Sequence, residues 1–153
     1  MKKLTRASWI IIGFVLFLQG WIASSSAEPA AHSGTLRIEI DGMKNDHGRV
    51  RVALINSQKS FHQGEPYFRS LEIPIQNRQS HGLFTDLPFG EYAIKLYHDE
   101  NGNRTLDKIP LLGIPLERYA FSNGARSPFG PPPFQKALFR LDSPEKVVKI
   151  TVQ

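Results

Sequence analysis

Hydrophobic residues alternate singly with polar ones in several short stretches of this chain, and a period of two is compatible only with extended strands. Leu36, Ile38 and Ile40 alternate with Arg37, Glu39 and Asp41. Val50, Val52 and Leu54 share a face within 49–55, and Leu71, Ile73 and Ile75 repeat the pattern with Pro74 between them, which marks an edge strand. Shorter stretches follow at 82–87, at Tyr92, Ile94 and Leu96, and at 137–141 and 147–152. Turn-forming residues separate them: Asn45-Asp46-His47-Gly48, Pro88-Phe89-Gly90 and Asp142-Ser143-Pro144. No stretch has the 3.6-residue period of an amphipathic helix. The expectation is an all-β fold, an antiparallel sandwich of about seven strands, immunoglobulin-like or transthyretin-like.

The first 27 residues stand apart. Lys2, Lys3 and Arg6 precede an apolar run from Trp9 to Leu18, and Ser25-Ser26-Ala27 places small residues at a cleavage site, the order of a secretory signal peptide. The expected organisation is a leader over 1–27, a short tether over 28–33 and one domain over 34–153. Localisation would be periplasmic or extracellular, with the membrane touched only through the leader if it is not cleaved. Removing the leader's three cations drops the net charge from +5 to +2, so basicity gives no reason to expect nucleic acid. The absence of cysteine excludes a disulfide scaffold, a cysteine nucleophile and thiolate metal sites.

Residues 99–135 keep no strand period and hold six prolines and four glycines. Structureless loops beyond about 12–15 residues are uncommon in compact domains and are usually functional or disordered. Leu111, Leu112, Ile114, Leu116, Tyr119, Phe121, Phe129 and Phe134 are too much apolar surface to leave in water, so the segment is expected to pack on the sandwich.

The same region carries a family resemblance. Phe84-Thr85-Asp86-Leu87-Pro88-Phe89-Gly90-Glu91-Tyr92-Ala93 leads into His98-Asp99-Glu100-Asn101-Gly102-Asn103. Then come Leu106-Asp107, Gly113-Ile114-Pro115, Tyr119-Ala120-Phe121-Ser122-Asn123 and Phe129-Gly130-Pro131-Pro132-Pro133-Phe134. In that order they resemble the bacterial domain-of-unknown-function 2141 family across nearly the whole mature chain. The resemblance implies an exported small β-sandwich domain and supplies no activity.

Three groups of residues carry candidate chemistry. Asp99, Asn101, Asn103 and Asp107 sit at positions 1, 3, 5 and 9 of a loop, with the Thr105 carbonyl at position 7, a spacing that suits a weak calcium site. Glu117, Asp46 or Asp86 would have to supply further charge. The same residues also form Asx turns that need no cation, and both readings stay open here. Tyr119, Phe121, Phe129 and Phe134 offer ring faces for a peptide or glycan, or else plug one end of the sandwich. His98 beside Asp99 is the one arrangement from which a hydrolase-like site, with or without a metal, can be drawn; buried structural histidine is the competing reading. No Gly-x-Ser-x-Gly elbow, phosphate loop or dinucleotide fingerprint is present. The leading expectation is therefore a non-enzymatic binding or envelope-associated module, its partner an envelope protein, peptide or glycan, with 99–134 as its functional face. A carrier of a small apolar ligand is a third reading.

Overall fold

A computed structural model describes residues 32–64 and 66–153; the leader 1–27 and all of the tether except its last two residues lie outside the described residues. Eight strands appear: β1 Ser33–Asp41, β2 Arg49–Ile55, β3 Arg69–Pro74, β4 Ser80–Pro88, β5 Gly90–Asp99, β6 Tyr119–Phe121, β7 Phe139–Leu141 and β8 Glu145–Thr151. Two short helices, α1 Gln58–Gln63 and α2 Phe134–Ala137, and a 3-10 turn at Ser122–Gly124 complete the fold. One sheet has the order β4-β1-β8, the other β3-β2-β5-β6 with β7 also paired to β5. The protein is an all-β sandwich.

The alternating residues do what their period requires. Leu36, Ile38 and Ile40 of β1, Val50, Val52 and Leu54 of β2, Tyr92, Ile94 and Leu96 of β5, and Val148 and Ile150 of β8 meet in one buried core. Each such side chain contributes about 1.5–3 kcal/mol on leaving water. β3 lies at a sheet edge, where the missing N–H of Pro74 breaks no ladder.

Three expectations are corrected. The eighth strand, β6, lies inside the segment read as irregular; at three residues it is too short to show a period. Only 139–141 of the expected strand over 137–141 is extended, because Ala137 closes α2. The last two strands are not a hairpin: β7 belongs to one sheet and β8 to the other, so 142–144 crosses between sheets. β7 runs antiparallel to β5 but β8 runs parallel to β1, so the sandwich is not wholly antiparallel.

β5 is the central strand, and every part of its second edge is covered. β7 pairs with Gly90 to Tyr92, and β6 pairs with Lys95 to Tyr97. In the gap between them the Ser122 hydroxyl accepts the Ile94 N–H at 2.9 Å and donates to the Ala137 carbonyl. Beyond β6, the His98 N–H donates to the Arg118 carbonyl. Ser122 is thus a buried splint for two backbone groups that otherwise lack partners.

A second, smaller core lies on the outer face of the β3-β2-β5-β6 sheet. Ala53 and Ile55 of β2, Ala93 of β5 and Phe121 of β6 are covered there by Phe61 of α1, Ala125, and Phe134 and Ala137 of α2. That sheet is therefore buried on both faces at one end and open at the other. The open end is where polar side chains gather.

Candidate functional site

The strand register sets out two rows of side chains across the open part of this face. Glu72, Arg51, Tyr97 and Tyr119 stand opposite one another on β3, β2, β5 and β6; Ser70, Ala53, Lys95 and Phe121 form the next row. Tyr67 and the loop residues Arg104, Thr105, Leu106 and Lys108 complete the lining. The result is a groove of about 800 Å³. It crosses three strand spacings, roughly 14 Å.

The electrostatics follow from partial burial. Arg51 donates to Glu72 at 2.7 Å and to Asp99, and the Asp99 bond above all raises its pKa. Asp99 is 0% exposed. Burial pushes its carboxyl up, but the Arg51 hydrogen bond and the backbone N–H of Arg104 outweigh that and hold it below the usual carboxylate range. Burial, then the charge of Asp99, pushes the Tyr97 phenol up to about 12, so it remains a protonated hydrogen-bond donor at neutral pH. Burial lowers the pKa of Lys95, and the neighbouring cation of Lys108 lowers it further. The Lys95 ammonium donates to the Phe61 carbonyl at 2.9 Å and lies 5.5 Å from the Phe61 ring centre.

The candidate calcium loop is closed by its own hydrogen bonds. The Asn101 side-chain oxygen accepts the Asn103 N–H at 3.0 Å, and the Asn103 oxygen accepts the Thr105 N–H at 2.8 Å and its hydroxyl at 2.9 Å. Both amide nitrogens donate to the Asp107 carboxylate, at 2.7 and 2.9 Å. Asp99 points instead to Arg51 and Arg104. The buried Glu117 accepts the N–H of Glu100 and of Asp107, stapling the two ends of the loop. Asp46 is engaged elsewhere, by the N–H groups of Asn77 and Arg78. As folded, these residues form Asx turns, and a cation reaching Asp107 would have to displace two amide donors. Millimolar calcium is therefore expected to leave the unfolding midpoint of residues 28–153 unchanged. A rise that Asp107→Ala abolishes would show that the amides rotate to admit an ion.

His98 and Asp99 form no dyad. Adjacent strand residues point to opposite faces; His98 faces the main core at 0% exposure, while Asp99 faces Arg51. The His98 Nε2 lies 2.7 Å from the His47 carbonyl, an acceptor, so Nε2 carries the proton. The turn before it is fixed by Gly48, at φ 69°, where any Cβ would collide with the Asp99 carbonyl.

The four predicted binding aromatics do not share one surface. Phe121 and Phe134 are buried in the second core with Phe61, because the cap turns both inward. Tyr119 borders the groove and meets Phe121 edge-on at 5.9 Å. Phe129 is 91% exposed on a separate loop. The expectation that the whole 99–135 segment packs down is also overturned: Leu111, Leu112, Ile114 and Leu116 project into solvent. Arg51, Glu72, Lys95 and Tyr97 were missed as site residues. The available signal was the pair Lys95 and Tyr97 on a strand whose preceding outward residue, Ala93, is too small for a solvated face.

Fold and groove together define a β-sandwich domain with a basic, tyrosine-lined cleft on the outer face of one sheet. The chain belongs to the family described as "Uncharacterized protein conserved in bacteria (DUF2141)", whose model matches residues 38–149. No curated protein and no solved structure matches it. Among the described residues, no helix is long and apolar enough to cross a membrane.

Proposed function

We propose that this chain is an exported, non-enzymatic binding module of the bacterial envelope, and that its ligand is an extended anion lying across the groove. Export rests on the leader pattern of residues 1–27. The observation that carries the ligand class is the lining of the groove, where four cations, Arg51, Lys95, Arg104 and Lys108, stand against one acid, Glu72. An anion lying along that lining offsets the excess positive charge and gains charge-assisted hydrogen bonds. Tyr97 and Tyr119 add a donor and ring faces beside it. The groove's length suits about four extended peptide residues or a short acidic glycan. The reading needs no nucleophile, and the protonated Tyr97 supplies none.

The test is chemical-shift mapping of residues 28–153 with two probes, tetraglutamate and a trimer of galacturonic acid. One of them is expected to shift the signals of Arg51, Lys95, Tyr97 and Lys108, and Lys95→Met is expected to weaken binding about tenfold through one lost charged hydrogen bond. Shifts confined to other surfaces, or none with either probe, would reject the groove as the site.

A further inference from the structure

The apolar residues that fail to pack form a distinct object. Residues 107–116 make a small finger: Lys108 bridges Pro115, and the Leu116 N–H donates to the Asp107 carbonyl at its base. At its tip Leu111 is fully exposed, and Leu112, Ile114 and Leu116 are 68, 52 and 64% exposed. Leu111 sits at φ 65°, a left-handed conformation that leucine rarely adopts. Aliphatic side chains this concentrated and this exposed mark an interaction site rather than ordinary surface.

We infer that the finger is a shallow membrane anchor that docks on an anionic lipid surface. Its shape, its charges and its backbone all favour lipid. It is a convex tip, and partial insertion buries all sides of such a tip at once. The exposed charges around its base are cations, Arg104, Lys108 and Arg118. The acids between them are withdrawn: Asp107 is held by Asn101 and Asn103, and Glu117 is buried under two backbone N–H groups. Outward cations beside apolar residues are the arrangement that anionic headgroups attract. In the backbone, the N–H groups of Ile109, Leu112 and Gly113 bond within the finger, to the carbonyls of Ile114, Pro110 and Ile109, while Pro110 and Pro115 have no N–H. A segment so satisfied can enter the boundary of headgroups and acyl chains, to roughly 5–10 Å, without stripping water from many free donors. The contact differs from that of an uncleaved leader and does not depend on the groove reading.

Residues 32–153 contain both cores and every strand pairing, and residues 31–153 form one compact unit, so residues 28–153 are the chain to use. Trp9 and Trp21 both lie in the leader. Leu112→Trp in 28–153 is thus a unique fluorescent reporter. Its emission is expected to shift to the blue on adding vesicles of equal phosphatidylglycerol and phosphatidylcholine, and less with phosphatidylcholine alone. In co-sedimentation with the mixed vesicles, Leu111→Ser with Leu112→Ser should lower partitioning at least about tenfold. Arg104→Glu with Lys108→Glu should abolish the preference for anionic lipid. Both double variants should keep the parent's unfolding midpoint. Three results would overturn the inference: no blue shift, partitioning insensitive to the two serines, or a dimer in sedimentation that the two serines dissociate, which would make the finger a contact between copies.

Discussion

Asp99→Ala is expected to destabilise residues 28–153 by about 3–5 kcal/mol, the effect of removing one partner from a buried ion pair. The loss is large because the Asp99 carboxylate joins two parts of the fold. It bonds Arg51 on β2 and the Arg104 N–H in the loop. Against a typical stability of about 5–15 kcal/mol, that would remove a large share. Asp99→Asn, which keeps the shape and loses the charge, should fall between. The pH dependence has a defined sign. The folded pKa of Asp99 lies below its ordinary value, so its contribution is complete above the unfolded value of about 3.9 and is lost as pH falls through the folded one. Urea denaturation from pH 7 downward should therefore show an acid decline that is shallower in Asp99→Asn. A loss below about 1 kcal/mol at pH 7, the level of an exposed pair, would show that Asp99 is not the hub described.

Phe61→Ala is expected to remove about 3–5 kcal/mol as well, the usual range for a buried phenylalanine, but with a different distribution. Phe61 is the only large side chain that α1 buries, and it packs on Phe121 and Phe134 at 5.7 and 5.3 Å between ring centres. A six-residue helix has no independent stability in water. Without that ring the cap should open while the main core holds. Hydrogen exchange should then lose protection at 58–67 and 121–137 and keep it in β1, β2 and β5. The groove would lose the wall beside Lys95, so ligand binding should weaken with stability. Leu54→Ala in the main core should instead lower protection everywhere.

The main core was readable because its residues alternate, and alternation in a strand reports one buried face. The second core was hidden for the same reason. Ala53 and Ala93 occupy the face that the period assigns to solvent, and what buries them is supplied by helices of six and four residues, too short to reveal a 3.6-residue period. Phe121 and Phe134 look like surface rings until the cap closes over them. The loop motif at Asp99, Asn101, Asn103 and Asp107 was visible, but its meaning depended on Arg51, 48 residues earlier in the chain. The groove is a property of register between strands: no local window contains Glu72, Arg51, Tyr97 and Tyr119 together. The exposed finger ran against the ordinary expectation that leucines are covered.

The parallel pairing of β1 and β8 also decides how the domain responds to force. Thr35 faces Glu145 at one end of the ladder and Asp41 faces Thr151 at the other, with seven paired positions in all. Tension applied through the chain before β1 and after β8 pulls these two strands along their length in opposite directions. All the rungs then carry the load together, whereas in a hairpin they would peel open one after another. A domain pulled through those two ends would resist extension at this ladder.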